Sequence, residues 1–203
     1  MSSILYASYN KNINTVEMKR KFNAHLVGKG YLEGFDLEFR GFPSITPSLG
    51  KRVPVAIWQL SGKSQTRLDY DEFMNIGDYT KEYLSIKLEA YTEQVIKDGI
   101  HRDEIKALVY ISKESEPLAQ LSLVDYNILF EAYQTHGFDP AILVRAALAA
   151  NTQYEERERA KFEQHGKLMA ELGLNEEEVQ ILYYNLIAKS LLNIKKVDSS
   201  SYL

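Results

Sequence analysis

The sequence predicts an α+β protein, and two observations carry that prediction. Residues 1–115 read as short strands separated by turns, and from Leu121 onward apolar residues recur at helical spacing. A third observation concerns the C-terminus, where two helical stretches broken at Gly173 predict a helical hairpin over about 150–195, added to the strand-rich body. The length of 203 residues accommodates one domain of ordinary size with a helical appendage, and the expected division is a domain over 1–150 and an extension over 151–203. Hydrophobic residues make up 45% of the chain and charged residues 26%, a balance that can bury a core.

Residues 4–9 form a buried strand in pattern, and Asn10-Lys11-Asn12 is a polar turn whose asparagines tolerate left-handed backbone angles. A helix is expected to start near Asn14 or Thr15, whose side chains can accept hydrogen bonds from free N–H groups, with Val16, Met18 and Phe22 as its apolar face. Residues 26–40 read as two strands marked by Gly28, Gly30 and Gly34, and residues 53–58 as another that Pro54 starts at an edge or bulge. Residues 65–75 have helical spacing with Leu68, Phe73 and Met74 apolar, and Glu72 rides on that segment. Residues 83–88 alternate cleanly, residues 105–111 are rich in β-branched and aromatic side chains, and a polar loop over 93–103 separates these two strands. Residues 124–136 form a helix closed by Gly137. Asp139 as cap and Pro140 in the first turn open a long helix to residue 172, apolar over 142–150 and almost wholly charged over 154–164. Asn175 and Glu178 have capping-box spacing for a last helix through 192, with Val179, Leu182, Tyr183, Leu186, Ile187 and Leu191 in one stripe.

Composition removes several chemistries. Without cysteine there is no disulfide, thiolate nucleophile or cysteine-ligated metal. The four histidines, His25, His101, His136 and His165, are too far apart for a helical metal pair, so no metal and no cofactor is expected. The net charge of −4, and a longest basic run of only Lys19-Arg20-Lys21, give no support for nucleic acid or an anionic membrane as partner. No apolar segment approaches the ~18 residues of a membrane span and no leader pattern opens the chain, so the expected compartment is the cytoplasm. The 14 tyrosines suggest a pocket or interface with one wet side.

Against this background one set of residues is specific. The run Tyr9-Asn10-Lys11-Asn12-Ile13-Asn14 followed by Met18-Lys19-Arg20 resembles the opening of the gamma-glutamylcyclotransferase-like family, a strand running into Tyr-Gly-Ser-Asn-hydrophobic-Asn and then a helix near Met-Lys-Arg. Residues 28–40, and Ile45-Thr46-Pro47-Ser48-Leu49-Gly50 followed by 53–60, resemble its next two blocks. Leu68-Asp69-Tyr70-Asp71-Glu72-Phe73 resembles its Leu-Asp-x-Tyr-Glu-Gly segment, and Val109-Tyr110, Tyr126 and Tyr133 match later positions, so that the resemblance covers about 3–150. It implies a small mixed β-barrel with flanking helices. It also implies Glu72 as general acid/base, and a pocket for a γ-glutamyl compound or other small ligand lined by Tyr9, Asn10, Lys11, Asn12, Ile13, Tyr110, Tyr126 and Tyr133.

The implied reaction cyclises a γ-glutamyl amine or peptide to 5-oxoproline and releases the amine. It needs a folded substrate conformer, one carboxyl with a pKa raised toward neutrality, and N–H donors for an oxyanion, with neither metal nor thiol. Two departures keep alternatives open. Asn10-Lys11 replaces the family's Gly-Ser pair, and Asp71 and Phe73 replace the residues flanking the glutamate. A long cation at Lys11 would equally suit a protein that sequesters or senses a small anionic metabolite or nucleotide. The charged C-terminal helices would equally suit self-association into a homo-oligomer.

Overall fold

The computed structural model describes residues 3–92, 103–113 and 116–171, together with 173, 175, 177, 178 and 181. Five strands, β1 (Ser3–Ser8), β2 (His25–Phe39), β3 (Pro43–Ser61), β4 (Tyr79–Tyr91) and β5 (Glu104–Ser112), form one sheet in the order β1-β3-β2-β4-β5 that closes on itself. Neighbours are antiparallel except at the closure, where β1 runs parallel to β5 through the pair Tyr6 and Leu108. Among the described residues four long helices accompany it: α1 (Thr15–Phe22), α2 (Gln65–Ile76), α3 (Leu123–His136) and α4 (Ala141–Glu171). The architecture is therefore of the α+β class that the sequence pattern predicts, with the ring of strands and flanking helices that the family resemblance implies.

Several elements differ from expectation in informative ways. Residues 26–39 lie in one strand rather than two, and Arg40 forms an isolated bridge with Ala119. A Cβ at Gly28 or Gly30 would stand 2.4 Å from the Ala90 carbonyl oxygen or 2.3 Å from that of Lys87, so these glycines admit the β4 backbone instead of breaking β2. Gly34, at φ +79°, falls where the β2–β3 register shifts. Strand β3 starts at Pro43, well before the expected residue 53. Pro54 pairs on the β2 side opposite Tyr31, whereas β1 partners begin only at Ala56, so its missing N–H is accommodated beyond the end of β1.

Helix phase accounts for the remaining corrections. On α1, Met18 and Phe22, four residues apart, are buried, whereas Val16, about 200° round from Met18, is 72% exposed. On α2 the buried stripe is Leu68, Glu72 and Ile76 at i, i+4, i+8, and the expected Phe73 and Met74 point outward. The ends were better read. Asn14 caps α1 by accepting from the Val16 and Glu17 N–H groups, Gly137 closes α3 at φ +67°, and Asp139 Oδ1 accepts from the Ala141 N–H.

The chain divides into two units, Met1–Tyr154 and Glu155–Leu203. The core of the first gathers Val55, Ile57 and Trp58 of β3, Leu108 and Val109 of β5, Leu129 of α3 and Leu143 of α4. Each such side chain contributes about 1.5–3 kcal/mol when fully buried. In the second unit, Asn175 and Glu178 exchange reciprocal capping bonds of 2.9 Å, as their spacing predicts. Residues 177, 178 and 181 of the expected final helix are helical, and its other residues, like 93–102 of the expected 93–103 loop, lie outside the described residues. No helix among the described residues is long and apolar enough to cross a membrane.

Candidate active site

Placing a glutamate in the middle of the buried α2 stripe has one structural consequence: Glu72 is only 1% exposed, and both its oxygens must be satisfied from within. They are. Oε1 accepts from the Tyr6 hydroxyl and from Asn12 Nδ2 at 2.6 Å, and Oε2 accepts from Asn10 Nδ2 at 2.7 Å. Tyr6 reaches it from mid-β1. Strand alternation puts Ser8 on the same face, where Ser8 Oγ donates to the Asn12 carbonyl at 2.9 Å and accepts from Trp58 Nε1 at 2.9 Å. Strand β1 thus holds both the glutamate and the turn that contacts it.

That turn is a single 3-10 turn, Lys11–Ile13, capped by Asn10, whose Oδ1 accepts from the Asn12 N–H at 2.9 Å. Asn10 is extended, at φ −97° and ψ −158°, so the left-handed angle expected for the turn asparagines does not occur there. Among the described residues the non-glycine with positive φ is Asn23. Ile13 is fully buried and its carbonyl lies 2.9 Å from His136 Nε2, which ties the turn to the end of α3. Nothing local to either residue marks that tie, which joins positions 123 apart in the chain.

Burial pushes the Glu72 carboxyl up from an ordinary 4.5 to about 7, against the lowering effect of its three donors and with a smaller upward push from Asp71. All three donors are neutral, and no cation is among the described partners of Glu72. The nearby lysines are committed elsewhere: Lys11 to Asp125 at 3.1 Å, Lys21 to Asp71 at 2.8 Å, and Lys81 to Asp69 at 2.6 Å. Asp71 also accepts from Asn12 Nδ2 at 2.8 Å. The result is a buried, anion-capable carboxyl flanked by lysine charges already neutralised.

Of the tyrosines expected at the site, Tyr9 and Tyr110 lie in its surroundings. The Tyr9 hydroxyl donates to the Tyr110 carbonyl at 2.8 Å, and the Tyr110 hydroxyl donates to Asp69 Oδ1 at 2.5 Å. The Tyr110 ring meets Tyr6 and Tyr79 edge-on, at 5.8 Å and 4.8 Å between centroids. Tyr126 and Tyr133 have other described neighbours. Tyr126 packs against Phe39 and Phe130 beside a cleft that also includes Leu121 and Ala147, and Tyr133 is buried against Phe138. Tyr6 was missed from sequence, although it sits three residues before the Tyr9–Asn14 run. The spacing of Leu68, Glu72 and Ile76 was the available signal that Glu72 faces inward.

No family model and no curated protein matches the sequence. Solved structures do resemble it. A gamma-glutamyl cyclotransferase is 18% identical, with 67% of this chain and 81% of that one covered and a TM-score of 0.53. An uncharacterized protein from Homo sapiens is 20% identical over 68% of this chain and 82% of that one, again with a TM-score of 0.53. A yeast gamma-glutamyl cyclotransferase specific to glutathione is 12% identical over 75% of this chain and 97% of that one, with a TM-score of 0.52. At these identities the likeness establishes the fold.

Proposed function

We propose that this chain, which has the gamma-glutamylcyclotransferase-like fold, cyclises a γ-glutamyl amine or peptide to 5-oxoproline, with Glu72 as general acid/base. The observation that supports this most strongly is the environment of Glu72: a buried carboxyl pushed up to about 7, held by neutral donors and with no cation among its described partners. A carboxyl with a pKa near the working pH is suited to take a proton and give one back. A buried carboxylate without a counter-ion is stabilised by an incoming ammonium, which a γ-glutamyl compound supplies at its α-position.

In this reading the α-nitrogen attacks the substrate's own γ-carbonyl carbon. A C–N bond closes the ring, the carbonyl oxygen becomes an oxyanion, and the bond to the departing amine then breaks. Between ammonium and lactam the attacking nitrogen gives up two protons, and the departing nitrogen gains two on leaving as an ammonium. Glu72 carries them one at a time. Holding the chain of the substrate folded supplies much of the rate, since oriented intramolecular attack reaches effective molarities on the order of 10⁵ M or more.

The alternative, sequestration of a small anion by Lys11, requires breaking the Lys11–Asp125 pair. Incubation with γ-glutamyl amino acids, γ-glutamyl-lysine and glutathione, with 5-oxoproline as the readout, tests the proposal. Release by the wild type and its loss in Glu72→Gln is the expected result, and no 5-oxoproline from any of these substrates refutes it.

A further inference from the structure

The two oxygens of Glu72 are held in different ways. The donors on Oε1 are fixed: Tyr6 sits within β1, and Asn12 is pinned by a second bond to Asp71 and by Ser8 on its carbonyl. Among the described residues Oε2 has one donor, the amide nitrogen of Asn10 at 2.7 Å. Asn10 otherwise serves the turn through atoms that do not face Glu72. Its Oδ1 accepts from the Asn12 N–H and its carbonyl accepts from the Ile13 N–H, each at 2.9 Å. The backbone there is extended, so an ordinary residue with a short side-chain oxygen could keep the cap and leave Oε2 bare.

The geometry points to Asn10 as the specificity-determining residue of the site: its amide occupies the place on Glu72 Oε2 that the substrate's α-ammonium takes, so that only a ligand with a free cationic amine displaces it. This rests on Glu72 being the base of the reaction proposed above. Both groups are nitrogen donors at hydrogen-bond distance, but the ammonium brings a full positive charge, and with it a Coulomb attraction to the buried carboxylate that the neutral amide lacks. A γ-glutamyl compound therefore replaces Asn10 at a net gain. An N-acylated analogue, carrying at best another neutral amide, has nothing to gain by the exchange. The α-amine required for chemistry is thereby also the requirement for entry.

The test compares the wild type with Asn10→Ser, which retains a capping oxygen but is too short to reach Oε2. The first readout is coupling of glycinamide to Glu72 by a water-soluble carbodiimide near pH 6, followed by peptide mass analysis, with exposed Glu82 as internal reference. We expect Glu72 of the wild type to lag far behind Glu82, and coupling at Glu72 to rise roughly ten- to a hundredfold in Asn10→Ser, the population shift for loss of one hydrogen bond to a charged group. The second is the affinity of γ-glutamylglycine and of its N-acetyl form, measured by ligand-observed NMR. The wild type should bind the free amine and reject the acetylated form, while Asn10→Ser narrows that ratio at least roughly tenfold.

Coupling at Glu72 that is equal in the two proteins, or an unchanged ratio of affinities, overturns the assignment. Asn10→Thr, which keeps a capping oxygen on a side chain equally too short to reach Oε2, is read in the same way if Asn10→Ser shows no cooperative thermal transition. In either variant, a folded protein whose Glu72 stays unreactive also overturns it. If neither the wild type nor the variant forms 5-oxoproline, the cyclotransferase reading fails by itself, and the coupling ratio still decides the role of Asn10.

Discussion

Removing the titratable group at position 72 should change how stability depends on pH, in a direction opposite to that of an ion-paired carboxylate. Burial raises Glu72 from 4.5 to about 7, so between those values the folded protein binds a proton that the unfolded chain has released. The stability associated with the protonated form is fully present below pH 4.5 and is lost as pH rises through about 7. The displacement corresponds to roughly 3 kcal/mol, with a slope of at most about 1.4 kcal/mol per pH unit for one proton. Glu72→Gln removes this titration and leaves the other carboxylates in place. Urea unfolding of both proteins at intervals from pH 4 to 8.5 gives the difference profile directly. Absolute stabilities are a poor guide, because an amide at this position turns an N–H₂ group toward donors. The slope of the difference is the quantity to read. Wild-type stability relative to Glu72→Gln should fall by roughly 3 kcal/mol across the interval. A flat difference between pH 4.5 and 7 would refute the reasoning, since it would mean that Glu72 titrates alike in the folded and unfolded chain.

Other perturbations follow from the same geometry. Tyr6→Phe deletes a bond that favours the ionised carboxyl, so the Glu72 midpoint should rise further by about one to two pH units, read by carbon-13 NMR of the side-chain carboxyl; an unchanged midpoint would mean that the bond is not formed in solution. Burial, with a contribution from Lys29, holds His136 below 6.5, so its stabilising effect is present above 6.5 and lost as the solution is acidified through its lower folded value. The wild type minus His136→Gln profile should rise with pH, the reverse of the Glu72 case, and a falling profile would show the imidazole buried in its charged form. Gly30→Ala drives a methyl group against the Lys87 carbonyl and should cost about 2 kcal/mol or more by urea unfolding; a loss below about 0.5 kcal/mol would show that β4 yields freely.

Where local chemistry decides structure, the sequence was readable. Asn14 before a helix, Gly137 after one and Asp139 before Pro140 act on their nearest backbone groups, and each does what its type predicts. Where phase or distant partners decide, it was not. Phe73 and Met74 looked like core, and the family resemblance alone drew attention to Glu72, because apolar character does not set the phase of α2 among alternating charges; packing against β3 and β5 and the bonds of Glu72 to Tyr6, Asn10 and Asn12 do. Gly28 and Gly30 looked like punctuation because the β4 backbone that requires them lies about sixty residues downstream. The pairing of Glu72 with Asn10 and Asn12 was foreshadowed by the Tyr9–Asn14 run. Tyr6 was not, since nothing within β1 marks a hydroxyl whose acceptor lies 66 positions along the chain.

Tyr6 has a second role beside its bond to Glu72. It is the β1 residue registered against Leu108 at the seam where the sheet closes, and it is a donor to Glu72. One side chain position thus serves both the closure of the ring and the acidity of the carboxyl, so a change of backbone conformation at position 6 reaches the proton carrier without any contact to a ligand.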